Sequence, residues 1–369
     1  MIVERLELTD FRNYASATFE LTAGVTAVLG DNGHGKTNLT EALGYLATLS
    51  SFRGVTADAL VRIGASQAVV RAEIRDDDGR ESLIEAEINT AGANRVQLNR
   101  QRLSRARDLL GVMRITVFSP DDLALIKSGP AERRRLMDDA LVSLALRYDA
   151  TRLEVDRVIK QRNRLLKQCA GRLDADAEVT LDVWDQRLVT VGGELGDARA
   201  HLVRLLAPLL EVSYGDLAGR PTPIGIDYQA PWRNTGLAEA LAAARAEDLR
   251  RAQTTVGPHR DDLDFAIDGL PARTHASQGE QRTLALALRL GIHRLIAERT
   301  ESTPVVVLDD VLSELDPSRA TALLEHVPDG QVVITSASPL PDAARPDRIL
   351  RIRNGAVVAD ETPDHRADE

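Results

Sequence analysis

The fold is decided by residues 30–37, which read Gly30-Asp31-Asn32-Gly33-His34-Gly35-Lys36-Thr37. This stretch has the pattern G-x-x-x-x-G-K-[ST], follows an apolar run at residues 25–29 and precedes a helix-like segment. A strand, a glycine-rich loop and a helix in this order form a phosphate-binding loop, whose backbone N–H groups attract anionic oxygens. We expect Lys36 to reach the β- and γ-phosphates of a nucleoside triphosphate and the Thr37 hydroxyl to bind Mg²⁺.

Composition bounds the class of protein. The chain has 369 residues, of which 28% are charged and 43% apolar, and this balance indicates a soluble globular protein of two or three domains. No apolar run approaches the roughly 20 residues of a membrane helix. A charged start and one cysteine, Cys169, favour a cytoplasmic, nucleoid-associated protein. The net charge of −10 argues against coating nucleic acid with the whole surface, but it leaves room for local basic patches.

Strand-like segments lie at both ends of the chain and enclose a helical middle. Residues 2–8, 25–29 and 69–98 have strand patterns, and apolar residues recur at helical spacing from 131 to 213. Continuous apolar strands return after residue 304. We therefore predict an α/β protein, in which residues 1–115 and 300–369 form a nucleotide-binding lobe and residues 116–299 an inserted, mainly helical lobe with short antiparallel helices.

Two carboxylates follow one of the late apolar strands. Residues 305–308 read Val-Val-Val-Leu and precede Asp309 and Asp310. A buried strand that ends in Asp beside a phosphate-binding loop is the usual means of holding Mg²⁺. We expect Asp309 to act on the metal and Asp310 to orient or deprotonate the attacking water. The alternative is a strand end with two solvated acids.

A third segment stands before a long helical pattern. It reads Ser277-Gln278-Gly279-Glu280-Gln281. A Ser and a Gly at a helix start offer a hydroxyl and exposed N–H groups to an anion. The alternative is an ordinary Ser N-cap, which is common.

The order of these motifs resembles that of the ABC-type ATPases, in the branch that includes the SMC-like heads. The resemblance implies that residues 277–281 complete the γ-phosphate site of a second subunit, so that ATP joins a homodimer. It also implies that Ser313, Glu314, Leu315 and Asp316 form the loop that crosses the dimer interface. These proteins usually carry Glu after the Asp of the metal site, and the shorter Asp310 predicts slow hydrolysis.

Further segments resemble the RecF family of recombination mediators. They are residues 8–14, 51–54, 118–123, 130–138 and 257–263. The resemblance implies that Arg12 and Asn13 also bind ATP. It further implies an ATP-dependent clamp on duplex or gapped DNA, a weak DNA-dependent ATPase activity, and recombinase loading with RecO and RecR as partners. The roles of Thr335, where transporters place a switch His, and of His259 stay open.

Three basic clusters are candidates for DNA contact. Aromatic residues make up 3% of the chain, so stacking on single-stranded bases is disfavoured and contact with a duplex backbone is favoured. The alternative for each cluster is a solvated helix face paired with acids. The candidates are Arg100, Arg102, Arg105 and Arg107; Arg133, Arg134 and Arg135; and Lys160, Arg162, Arg164 and Lys167.

Other classes share part of this pattern. The motor subunit of an ABC transporter would carry the same core motifs, but with Glu at position 310. A chromosome-organising SMC-like head would need long coiled-coil arms. A small-molecule kinase would have the phosphate-binding loop but no use for residues 277–279.

Overall fold

The computed structural model describes residues 1–363 and divides into two compact units. The first unit comprises Met1–Leu123, Val212–Pro221 and the segment that begins at Arg282, and the second comprises Ala124–Glu211 and Thr222–Gln281. The strands are β1 (Ile2–Phe11), β2 (Tyr14–Glu20), β3 (Val25–Leu29), β4 (Gln67–Arg75), β5 (Glu81–Asn89), β6 (Arg95–Leu98), β7 (Gln101–Arg102), β8 (Ile115–Phe118), β9 (Ile224–Gln229), β10 (Asp262–Ile267), β11 (Leu270–Pro271), β12 (Val305–Asp309), β13 (Val332–Ser336), β14 (Arg348–Arg353) and β15 (Ala356–Glu361). The helices are α1 (Lys36–Thr48), α2 (Ala124–Lys127), α3 (Pro130–Leu144), α4 (Arg147–Cys169), α5 (Ala175–Ala218), α6 (Leu237–Arg251), α7 (Ala272–His275), α8 (Gln278–Thr300) and α9 (Pro317–His326).

Two six-stranded sheets build the first unit. One is antiparallel, in the order β2-β1-β4-β5-β6-β7. The other has the order β15-β14-β3-β13-β12-β8, in which every pair is parallel except β14 with β15. All five residues of β12 and of β13 are buried, as expected for central parallel strands. The carboxyl ends of β3, β13 and β12 therefore lie side by side.

Helix α1 fills the core of the first unit. Its buried side chains include Leu39, Leu43 and Leu46, none of which is exposed. The helix contacts β1 of the antiparallel sheet and β8, β12 and β13 of the parallel sheet. The start of α1 is thereby fixed at the edge where the parallel strands end, which is also where the phosphate-binding loop lies.

The second unit combines helices with the three-stranded sheet β11-β10-β9. Helix α5 continues for 44 residues, where the sequence indicated short helices. Gly196 lets a neighbouring element approach α5 closely, because a Cβ there would lie 2.5 Å from the Trp232 ring. Arg162 of α4 is fully buried and pairs with Asp185 and Asp248, at 2.6 Å each. Buried charges of this kind need such partners, so this network fixes how the helices pack.

The boundaries between the units differ from those predicted. Residues 116–118 complete β8, which pairs with β12, so they belong to the first unit. The part of α8 from Arg282 onward also lies in the first unit, where His293 bonds Thr116 (3.0 Å) and Arg289 pairs with Asp122 (2.7 Å). Partners distant in sequence set these boundaries, and a linear composition shift does not reveal them. Residues 364–369 lie outside the described part of the chain.

Within residues 1–363, no helix combines enough length with enough apolar character to cross a bilayer.

Candidate nucleotide-binding site

The phosphate-binding loop follows β3 and ends at α1. Gly33 and Gly35 have φ angles of 84° and 117°, in the region that favours glycine. At Gly35 a side chain is also excluded by space, because a Cβ would lie 2.7 Å from the Tyr14 hydroxyl. The glycine pattern read from the sequence is thus required by the backbone, and it leaves the loop's N–H groups accessible to an anion.

Neighbouring residues hold this loop in shape. The Asn13 amide donates to the carbonyl of His34 at 3.1 Å, and the Tyr14 hydroxyl donates to the carbonyl of Gly35 at 2.9 Å. The backbone N–H of Gly355 also donates to His34, at 3.0 Å. Asn13, predicted to bind ATP, therefore contacts the loop itself. A loop held from three sides is organised before any ligand arrives.

Lys36 lies across the mouth of the loop. Its side-chain amine donates to the carbonyls of Gly30 (2.7 Å) and Asp31 (3.1 Å) and to Asn32 Oδ1 (3.4 Å). Burial lowers the pKa of Lys36 below its ordinary value, and the carboxylates of Asp310, Asp309 and Asp31 oppose this shift. The amine is a buried cation held by carbonyl dipoles, an arrangement suited to receiving an anion.

Asp309 and Thr335 meet at the ends of β12 and β13. The Thr335 hydroxyl donates to Asp309 Oδ1 at 2.8 Å and accepts from the backbone N–H of Asp310 at 3.0 Å. Burial raises the pKa of Asp309 above its ordinary value, and hydrogen bonds from the hydroxyls of Thr335, Thr40 and Thr37 oppose the rise. Thr37 and Asp309, the two predicted Mg²⁺ ligands, are therefore near neighbours. Thr335 positions both acids, a role that the sequence left open.

Asp310 has a strained backbone and an unsatisfied carboxylate oxygen. Its φ angle is 53°, the left-handed region that Asp and Asn tolerate better than most residues. Its N–H donates to both the carbonyl and the hydroxyl of Thr335. Asp310 Oδ1 is buried and has no hydrogen-bond partner among the described residues. A buried carboxylate oxygen without a donor is costly, and a bound water or ligand would relieve that cost.

Replacing Thr335 with Val tests the positioning role. Val has nearly the same shape but cannot bond Asp309 or the Asp310 N–H, so we expect the free energy of unfolding to fall by about 1–2 kcal/mol. We also expect kcat for ATP hydrolysis to fall more than the affinity for ATP, since the hydroxyl orients Asp310. Urea unfolding and steady-state kinetics measure the two effects. Thr335→Ser should restore both, and an unchanged kcat in Thr335→Val would contradict the role.

A buried glutamate near the loop was missed by sequence reasoning. Glu41 of α1 has no exposed surface and accepts from Arg12 Nε (2.7 Å) and Nη2 (2.8 Å), and from the Ser51 hydroxyl. Arg12 also donates to the carbonyl of Ala59 at 2.9 Å. Arg12, predicted to bind ATP, is thus engaged with Glu41. The available signal was the acid itself, since Glu41 lies one turn after Thr37 and is the one carboxylate of α1.

The predicted signature segment lies at the start of α8, and its first two residues are exposed. Ser277 and Glu280 form reciprocal bonds, from the Ser277 N–H to Glu280 Oε2 (2.8 Å) and from the Glu280 N–H to the Ser277 hydroxyl (3.3 Å). This is a capping box, so the N-cap alternative is correct as far as local structure goes. Ser277 and Gln278 remain exposed, while Gln281 is buried and bonds the carbonyls before the helix.

The segment 313–316 connects β12 to α9. The Ser313 hydroxyl donates to the carbonyl of Asp310 at 2.8 Å, and Asp316 caps α9 by accepting from the Arg319 N–H at 3.0 Å. Glu314 pairs with Arg282 at 2.8 Å. These contacts tie the segment directly to the carboxylate end of β12.

The candidate DNA contacts fall into different environments. Arg133 is 3% exposed and pairs with Asp262, so its prediction as a phosphate contact is wrong. Arg162 is fully buried, and its assignment to a basic cluster is wrong for the same reason. Arg134 donates to the Asp261 carbonyl and Arg135 lies 3.6 Å from Asp139. The side chains of Arg100, Arg102, Arg105 and Arg107 are exposed, but Arg100 lines a cavity of about 560 Å³ together with Glu4, Glu73 and Glu81.

Comparisons with known proteins identify the family of the chain. A family model described as RecF/RecN/SMC N terminal domain matches residues 2–354. The DNA replication and repair protein RecF of Streptomyces avermitilis is 46% identical over 354 residues, covering 92% of this chain and 94% of that protein. RecF of Frankia alni is 46% identical over 357 residues, covering 91% and 93%.

Solved structures give the same result. The structure of the recombination mediator protein RecF-ATPrS has a TM-score of 0.89 at 29% identity, covering 97% of this chain and 98% of that one. An SMC head bound to the C-winged helix domain of ScpA has a TM-score of 0.59 at 18% identity, which shows the shared fold. The protein is thus an ABC-type ATPase head of the SMC-like branch, as predicted. Within that class, the chain belongs to the RecF family of DNA replication and repair proteins.

Proposed function

We propose that this protein is an ATP-dependent DNA-binding protein of recombinational repair and replication-fork maintenance. ATP binding joins two copies head to head and clamps duplex or gapped DNA, and slow hydrolysis opens the clamp. The observation that carries the proposal is the preformed loop of Lys36 beside the adjoining acids Asp309 and Asp310. Relatives solved as RecF-ATP and RecF-ATPrS support the choice of nucleotide.

The residues of the loop fit a nucleotide with its metal. Gly35 keeps the loop free of a side chain, and Lys36 already holds its amine against three oxygens that phosphate oxygens would replace. Thr37 and Asp309 would hold Mg²⁺, which supplies positive charge to the phosphates when bound. Burial raises the pKa of Asp309 and lowers the pKa of Lys36. A bound Mg²⁺ would favour the charged form of Asp309, and bound phosphates would favour the charged form of Lys36, so both pKa shifts would become smaller.

Asp310 is the residue we assign to hydrolysis. Its unpartnered Oδ1 is an acceptor free to take a hydrogen bond from a water molecule. A general base must lie within hydrogen-bond reach of the proton it removes. Asp is one methylene shorter than the Glu usual in this class, and its backbone is fixed by Thr335. A short, fixed base favours slow turnover, so ATP acts as a switch and not as fuel for a fast motor.

A second copy of the chain would complete the site. The exposed Ser277 and Gln278, at the N-terminus of α8, present a hydroxyl and a positive helix end that suit a γ-phosphate. The segment 313–316, which is hydrogen-bonded to Asp310, would lie at the interface. A partner that contacts this segment would therefore affect the position of Asp310. Two equivalent sites related by a two-fold axis follow from this exchange.

Membership of the family supports the proposal of DNA and protein partners. Its curated members are DNA replication and repair proteins, and the solved relatives are recombination mediators of the RecFOR pathway. We propose that this protein helps load recombinase at gaps together with RecO- and RecR-type proteins. The weak ATPase activity would depend on DNA, because DNA that favours the closed dimer also brings the two halves of each site together.

Coupling between ATP and DNA tests the proposal. We expect ATP with Mg²⁺ to raise the affinity for duplex or gapped DNA at least about tenfold over the nucleotide-free protein, a coupling typical of linked sites. Fluorescence anisotropy with duplex, gapped and single-stranded DNA across a salt series measures it. The linkage is reciprocal, so DNA must raise the affinity for ATP by the same factor. Equal DNA affinity with and without ATP would contradict the clamp.

A further inference from the structure

The outer face of α4 carries a row of cations. Lys160, Arg164 and Lys167 are exposed, whereas Val158, Ile159, Arg162 and Leu166 of the same helix are buried. Spacings of four and three residues place the three cations within an arc of about 60°, along roughly 10 Å of helix. We call these three residues the basic stripe. The structure thereby separates Arg162, which faces the core, from its neighbours in sequence, which face solvent.

The basic stripe has no acidic partners. Within residues 1–363, none of its three side chains forms an ion pair, although the chain holds 56 acidic residues against 46 Lys and Arg. The preceding cation of α4, Arg157, lies 3.5 Å from Glu154. Two acids near the start of α5, Glu178 and Asp182, are engaged by Arg245 of α6. One acid, the exposed Asp156, lies one turn before Lys160 on the same face of α4, so the stripe is a net positive patch on an acidic protein.

The three neighbouring cations lower the stability of α4 when nothing is bound to them. Like charges three and four residues apart repel and destabilise an isolated helix. A polyanion laid along the stripe removes the repulsion, and its own condensed counterions are released as the cations neutralise its phosphates. Each strand of a DNA duplex carries about one phosphate charge per 3.4 Å of axis, so a stripe of roughly 10 Å spans about three phosphates of one strand, one for each cation.

We infer that the basic stripe of α4 is a contact for the phosphate backbone of duplex DNA. The inference rests on the proposed function, since it assigns the DNA site of the same protein. Two other candidate sets are weaker: Arg133 is buried in an ion pair, and Arg100 lies among three glutamates. Lys and Arg at helical spacing bind the charge of the backbone and not base edges, so the contact is independent of DNA sequence.

Charge reversal of the stripe tests the inference. We expect the triple variant Lys160→Glu, Arg164→Glu, Lys167→Glu to bind duplex DNA at least about tenfold more weakly at 0.1 M salt in the presence of ATP and Mg²⁺. The slope of log K against log salt should fall in magnitude by about 0.9 for each phosphate that the variant no longer neutralises. ATP affinity and the ATP-dependent dimer should be unchanged. The neutral triple variant with Gln at the three positions should weaken DNA binding by a smaller factor.

A matched control separates the stripe from overall charge. The variant Arg204→Glu, Arg299→Glu, Arg345→Glu alters the same number of exposed cations and changes the net charge equally, and should bind DNA like the wild type. If the stripe and control variants lose the same affinity, or the stripe variant keeps its salt slope, the inference is wrong. If the wild type itself shows no ATP-dependent DNA binding, the proposed function fails instead, so the two failures are distinguishable.

Discussion

Replacing Lys36 with Met should lower the affinity for ATP on the order of 100-fold and prevent ATP from dimerising the protein. The Lys36 amine is buried and already bonds three oxygens at the loop mouth, the position where phosphate oxygens would bind. Removing a buried, charge-assisted hydrogen bond costs about 3 kcal/mol, which corresponds to that factor. Met has an unbranched apolar side chain of similar length, so it still fills the space that the stem of Lys36 occupies. Isothermal titration calorimetry measures the affinity directly.

The matched control is Lys127→Met, which removes a lysine from α2, outside the loop. Its ATP affinity should equal that of the wild type. If Lys36→Met retained wild-type affinity for ATP, the loop would not be the nucleotide site, and the proposed function would be wrong.

Replacing Asp310 with Asn should slow ATP hydrolysis about 1000-fold while leaving ATP binding intact. General acid–base catalysis contributes roughly 10²–10⁴-fold, and Asn cannot accept a proton. Asn also tolerates the left-handed backbone of this position, where φ is 53°, so the strand end keeps its geometry. Because the closed state is left by hydrolysis, the dimer formed with ATP should persist far longer. Single-turnover kinetics and dimer lifetimes report the two effects.

Asp329→Asn alters an exposed aspartate before β13 and serves as the control, with hydrolysis at the wild-type rate. Faster turnover in Asp310→Asn, or a dimer of shorter lifetime, would show that Asp310 is not the base. Loss of ATP binding in the same variant would instead show that Asp310 contributes to binding ATP before hydrolysis.

Local patterns predicted the parts of the site that are contiguous in sequence. The glycines and Lys36 of the loop are required by backbone geometry, and an apolar strand ending in Asp309 and Asp310 is itself a local signal. Thr335 was not assigned, because its role arises from β13 lying between β3 and β12, and strand order depends on contacts distant in sequence. Glu41 was missed for the same reason: its partner Arg12 comes from another part of the chain.

The direction in which side chains point was the other feature that the sequence did not predict. Arg133 and Arg162 belong to runs of basic residues that look alike in sequence, yet both are buried because acids from distant elements meet them: Asp262 for Arg133, Asp185 and Asp248 for Arg162. Helical spacing alone separates residues 160, 164 and 167 from 162, but which face is buried depends on the packing of α5 and α6.

Sedimentation velocity of the wild type and of Ser277→Arg, each with and without ATP and Mg²⁺, tests most directly that a second copy closes the site. Ser277 is exposed at the start of α8, so a large cation there should leave ATP binding to the same chain's loop unaltered. We predict that ATP converts the wild type to a dimer, while Ser277→Arg stays monomeric and binds ATP with the affinity of the wild-type monomer, measured at protein concentrations too low for dimerisation. The shared site would be contradicted if ATP left the sedimentation coefficient of the wild type unchanged. It would also be contradicted if Ser277→Arg dimerised like the wild type.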